Sequence, residues 1–137
     1  MYPDSGLHLK KEAVKTGQAP LGLPFSPGIR LGEFLFVSGQ GPFDQNGRLE
    51  PGDVKVQTRK TLENFRKVVE AGGSKMDDVV QTTVYLKDLS DFQGMNEIYS
   101  GFFSDPKPAR TTVQAELLFG MKVEVQGIAY VAGKQKG

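Results

Sequence analysis

Two side chains in the last third of the sequence have the types that a reaction on a small anion needs. Both lie in Pro108–Val131, PARTTVQAELLFGMKVEVQGIAYV, where Arg110 opens one apolar stretch and Glu124 sits inside the next. A guanidinium is a fixed charge whose planar fork of donors matches a carboxylate. A glutamate can take a proton from water and return it to a leaving group. At the roots of apolar strands both charges are costly unless paired, solvated or used. An ordinary structural or interfacial ion pair is the competing reading. The segment reads as two strands joined by a turn at Phe119-Gly120. Val123, Val125, Gly127, Ala129 and Val131 fall on one face of the second strand, and Lys122, Glu124, Gln126, Ile128 and Tyr130 on the other. Antiparallel pairing about that turn would bring Arg110 and Glu124 near one another, though not as direct cross-strand partners.

The elements that must position this pair follow from the rest of the pattern. Residues 1–10 lack periodicity and read as a loose arm, leaving one domain over 11–133. Glu12 to Lys15 fits a short edge strand. The next stretch, TGQAPLGLPFSPGIRLGEF, holds three prolines and four glycines in 19 residues, which suits a shaped loop. Gly28 to Leu31 is extended, and a tight turn at Gly32-Glu33 leads into Phe34–Ser38. That strand is apolar on both faces, so it reads as central and covered on both sides. Ser38-Gly39-Gln40-Gly41 ends it, and its glycines allow either a plain turn or a close approach to a ligand. Val54, Thr58, Leu62, Phe65, Val68 and Val69 recur at helical spacing and predict a helix over 54–71, stopped by Gly72-Gly73. Val79 to Leu86 is a strand rich in β-branched residues. A second helix runs to about Phe103, with Ser90 and Gln93 as a capping box and Phe92, Met95, Ile98, Tyr99 and Phe102 as its stripe. Within that stripe Tyr99 and Phe102 read as core.

The order is β-β-β-α-β-α-β-β, an α+β chain with a mixed sheet and two helices on one face. The other face, with Ile128, Tyr130 and the outer side of Phe34–Val37, is too apolar for water and predicts contact with further subunits.

Composition narrows the function classes. Among 137 residues, 17 Lys+Arg stand against 16 Asp+Glu, for a net charge of +1. That balance gives no long-range attraction to nucleic acid or to an anionic membrane. No apolar run approaches the roughly 20 residues of a membrane span, and the first residues lack the apolar core of a secretory signal. A cytoplasmic protein is the expectation. The absence of cysteine excludes thiolate nucleophiles and disulfides, and a single histidine, at position 8, argues against a His-rich metal site or a Ser-His-Asp triad.

Four stretches together resemble the Rid family, the reactive-intermediate deaminases of the YjgF type. They are LPFSPGIRLGEFLFVSGQGPFD, GDVKVQTRKTLENFRKVVEAGGSKMDDVVQTTVYLKDLSDF, MNEIYSGFF and the PAR-to-VEVQ segment, covering about residues 12–132. The resemblance implies a chorismate-mutase-like fold assembled as a homotrimer around a central β-barrel. It implies ligand sites in clefts between subunits, and cofactor-free, metal-free hydrolysis of 2-aminoacrylate and 2-imino acids to 2-keto acids and ammonia. By position, Arg110 is the arginine that clamps the substrate carboxylate, and Glu124 the residue that places water and manages protons. Gly39, Thr112, Asn96 and Phe25 fall at substrate-contacting positions. Three departures stand out. Phe25 replaces the family's usual tyrosine, Thr112 a common cysteine, and Gln126 a second glutamate. The last inter-strand turn is also one residue shorter than the common form. These changes motivate an alternative, a non-catalytic carboxylate-binding or regulatory trimer. RNA cleavage, ascribed to some relatives, finds no basic stripe here.

Overall fold

The computed structural model describes residues 9–16 and 22–133, so most of the expected N-terminal arm lies outside the described residues. Six strands and two helices follow the expected order: β1 (Glu12–Ala13), β2 (Gly28–Leu31), β3 (Phe34–Gln40), α1 (Val54–Ala71), β4 (Val79–Leu86), α2 (Phe92–Ser100), β5 (Ala109–Gln114) and β6 (Val123–Tyr130). They form one mixed sheet in the order β1-β2-β3-β6-β4-β5.

α1 starts at Asp53, whose side chain accepts from the Val56 amide at 3.1 Å. It ends at Gly72, and Gly73 follows at φ 89°, a conformation that suits glycine. Its apolar stripe, Leu62, Phe65, Val68 and Val69, lies fully buried against Leu35, Val37, Val84, Val125 and Ala129 of the sheet. α2 adds Met95 and Tyr99 to the same side. The helices therefore cover one face, as the strand alternation requires. The other face leaves Phe34, Phe36, Val80 and Tyr130 exposed. β3 is thus interior in sheet order but covered by the chain on its helix side only. No helix among the described residues is long and apolar enough to cross a membrane.

Two expectations need correction. β5 and β6 do not form a hairpin: β4 lies between them, parallel to β5 and antiparallel to β6. The buried Val84 and Leu86 demand an inner position for β4. α2 supplies the crossover that a parallel β4–β5 pair needs, and the eight residues between β5 and β6 are long enough to pass over the strand between. The Ser90–Gln93 capping box is also absent. The Ser90 amide and hydroxyl both donate to Asp88 Oδ1, at 2.9 and 2.7 Å, inside a 3-10 turn over Leu89–Asp91. α2 starts after that turn and ends before Phe102.

Gly127 marks the tightest crossing of sheet and helix. A Cβ there would stand 2.5 Å from the Gln81 carbonyl oxygen and 3.0 Å from Phe65 Cζ. Neither the β4 backbone nor a buried ring can give way cheaply. Gly127→Ala is expected to destabilise the fold by about 1–3 kcal/mol, read as a lower urea midpoint at unchanged slope.

Candidate active site

Arg110 stands in register with Thr82 on β4, and Thr112 with Val84. Thr82 and Val84 are fully buried on the helix side, so Arg110 and Thr112 share that side. There the Arg110 guanidinium meets α2. Its Cζ lies 4.7 Å from the centroid of Tyr99 and 5.7 Å from that of Phe92, and Nη1 reaches Met95 Sδ at 3.9 Å. Among the described residues no carboxylate pairs with it. The Tyr99 hydroxyl and Thr82 Oγ1 are hydrogen-bonded at 2.7 Å inside the core. Burial pushes the Tyr99 phenol up, while the Thr82 hydrogen bond and the Arg110 charge oppose that rise. Asn96, one helical turn beyond Phe92, has its Oδ1 buried without a hydrogen-bond partner.

Glu124 belongs to a different place. It pairs in register with Tyr85 on the face away from the helices. The β3–β6 register slips between Val37 and Gln40, and that irregularity brings Gly39 against it. A Cβ at Gly39 would stand 2.6 Å from Glu124 Oε2 and 2.9 Å from Cδ, so only glycine leaves the carboxylate where it is. Among the described residues nothing donates to this carboxylate or neutralises it, and burial alone raises its pKa.

Polar groups of α1 fix the backbone around Glu124. Asn64 Nδ2 donates to the carbonyl oxygens of Gly41 and Phe43, at 2.9 and 2.8 Å, just past Gly39. Gln57 Oε1 accepts from the Lys122 amide at 2.9 Å, two residues before Glu124, while its Nε2 donates to the Glu50 carbonyl. These are the first and last residues of the QTRKTLEN string, seven positions apart and so on one helix face. Ser38 Oγ donates to the Ser26 carbonyl at 2.6 Å, which ties the loop carrying Phe25 to the strand carrying Gly39. The Phe25 ring is 58% exposed.

The six predicted residues thus divide into two groups. Arg110, Thr112 and Asn96 lie on the helix side, at the β5 edge. Glu124 and Gly39 lie together on the opposite face, with Phe25 on the loop tied to that strand. Within one chain Arg110 and Glu124 are separated by the sheet itself, by two interstrand steps of about 4.8 Å each, and by the offset between their β4 partners Thr82 and Tyr85. One chain cannot present both to a single small ligand. Phe92 and Tyr99, the rings beside Arg110, belong to the α2 stripe, and their i, i+7 spacing is the one sign of a shared face that the sequence carries.

The family model described as Endoribonuclease L-PSP matches residues 16–131. The 2-iminobutanoate/2-iminopropanoate deaminase of Escherichia coli K12 is 38% identical over 123 residues, covering 86% of this chain and 96% of that one. The crystal structure of RidA from an Antarctic Psychrobacter superposes with a TM-score of 0.82 at 36% identity, covering 88% of this chain and 99% of its own. The chain belongs to the Rid family. A RutC family protein of Pyrococcus abyssi is 43% identical over 125 residues, spanning 89% of this chain and 98% of that relative. The Rid neighbours share the mixed sheet and paired helices, so the fold rests on whole-chain likeness as well as on element order.

The state of Glu124 makes a pH-dependent prediction. Its folded pKa lies above the ordinary 4.5, so from 4.5 upward the native state holds a proton that the unfolded chain has released. Stability therefore falls as pH rises through that window. Glu124→Gln removes the penalty. The variant is expected to melt higher than the parent near pH 7, with the difference vanishing below 4.5; thermal unfolding across pH 4 to 8 checks it.

Proposed function

We propose that the protein hydrolyses 2-imino acids to 2-keto acids and ammonia, at sites shared between the protomers of a homotrimer. The observation that carries this reading is the pair of uncompensated charges. Arg110 and Glu124 each lack a counter-charge among the described residues and stand on opposite faces of one sheet, and the family resemblance assigns them the carboxylate clamp and the proton-handling role. The exposed band of Phe34, Phe36, Val80 and Tyr130 supports assembly through the outer face, since isolated domains rarely leave so much large apolar surface wet. In the assembly Arg110 of one protomer faces Glu124 and Gly39 of the next, and the outer faces close a barrel.

The chemistry balances with side chains and water alone. Arg110 binds the substrate carboxylate by two parallel N–H donors. Glu124 accepts a proton as water adds to the imine carbon, giving a tetrahedral carbinolamine. It returns that proton to the imine nitrogen, then takes the carbinolamine hydroxyl proton and passes it to the same nitrogen. The C–N bond breaks with its electron pair going to nitrogen, the C–O bond becomes a carbonyl, and ammonia leaves. Burial moves Glu124 toward the range where both proton transfers are efficient. With Phe25 in place of a tyrosine, the wall beside Gly39 carries no hydroxyl, which favours imines with apolar side chains.

The test is the loss of 2-iminopropionate, generated by an amino-acid oxidase, with ammonia measured as product. Arg110→Ala is expected to lower kcat/KM by about 100-fold or more. Gly39→Ala, which pushes the carboxylate aside, is expected to lower kcat by roughly tenfold or more. Mixed trimers of Arg110→Ala and Glu124→Gln chains should regain part of the activity, because some seams then carry both intact residues. No recovery on mixing would defeat the shared site. Thermal protection by pyruvate without ammonia release from any of several imino acids would favour the carboxylate-binding alternative.

A further inference from the structure

Arg110 is a half-buried cation that no carboxylate among the described residues holds, yet rings on α2 define its position. We propose that Tyr99, assisted by Phe92, is a positioning residue: its ring supports the guanidinium from below and leaves the N–H edge open to an anion. Two features hold the ring in turn. The Thr82 hydroxyl grips the Tyr99 hydroxyl at 2.7 Å, and the Phe103 ring packs on it at 4.6 Å between centroids. Tyr99 is 5% exposed, so the support is rigid and dry.

The arrangement divides the guanidinium by direction. Its charge can be stabilised over a ring without using any N–H donor, because the attraction comes from the ring's quadrupole. A salt bridge would instead occupy the in-plane donors that a substrate carboxylate needs. An aromatic support therefore orders Arg110 while keeping its donor edge unspent. On the inner side Nη1 donates to Met95 Sδ, a weak acceptor at 3.9 Å, and the remaining N–H donors are left for an anion. The identity of the ligand rests on the deaminase reading; the support for Arg110 does not.

The experiment replaces Tyr99 with phenylalanine and then with mono-, di- and trifluorophenylalanine, in the full chain. Fluorination drains the ring quadrupole stepwise with little change of volume. Pyruvate is the probe, titrated calorimetrically, and turnover of 2-iminopropionate is followed in parallel. The dissociation constant is expected to rise at every step, about tenfold across the series, with the loss appearing in KM while kcat holds. A purely structural ring would lower the melting temperature and leave that slope flat, and a flat slope overturns the proposal. A ligand-free readout separates the two ideas. In the parent protein the Arg110 Nε–H resonance should be shielded by the rings and resolved, and Tyr99→Leu should return it to the solvent-exposed position. If the parent fails to bind pyruvate, the carboxylate reading falls and the Arg110 resonance alone judges the support. If that resonance already sits at the exposed position in the parent, the support itself is refuted.

Discussion

The insertion of β4 between β5 and β6 constrains everything else in this molecule. It buries Val84 and Leu86 under the helices, forces the β4–β5 pair to be parallel, and makes α2 the crossover between them. Because side chains alternate along strands, it also decides that Arg110 emerges beneath α2 while Glu124 emerges on the far side. A hairpin of β5 and β6 could have brought the two charges near one another. The actual topology leaves each without a neutralising partner among the described residues, and such lone charges on a small domain are tolerated where something else uses them.

α1 does two jobs with two faces. Its apolar stripe builds the core. Its polar pair, Gln57 and Asn64, spends side-chain hydrogen bonds on backbone that would otherwise wander, at Lys122 on one side and at Gly41 and Phe43 on the other. Glu124 and Gly39 are brought together by that helix as much as by their own strands. Fixing a loop and a strand start from one rigid element is an economical way to hold a close contact of glycine and carboxylate.

Much of the fold was legible in the sequence. The 3.6-residue recurrence from Val54 to Val69 marked α1, the β-branched run marked β4, and alternation marked β6 with Glu124 on its outer side. Pairing was not legible, because alternation states which face a residue takes and is silent about which strand lies beside it. Arg110 and Glu124 stand out by residue type and by the family resemblance. Their separation could not be, since the face taken by Arg110 depends on its register with Thr82. Tyr99 was read as core and is core; that the same ring underlies a cation depends on the parallel β4–β5 register, which no local pattern encodes. Ser90 is not a cap because Asp88, two residues earlier, caps the 3-10 turn by accepting from the Ser90 amide, which puts Ser90 inside that turn.

An aromatic neighbour also differs from an acidic one in its response to the medium. A carboxylate beside Arg110 would be discharged by acid, and the grip on a ligand would change with it. The Tyr99 ring stays uncharged well into alkali, since burial carries its phenol above 10. Over the acidic and neutral range the cation therefore keeps a constant support within its own chain, and titration at Glu124 is left as the sole proton-linked control among the described residues of the two groups.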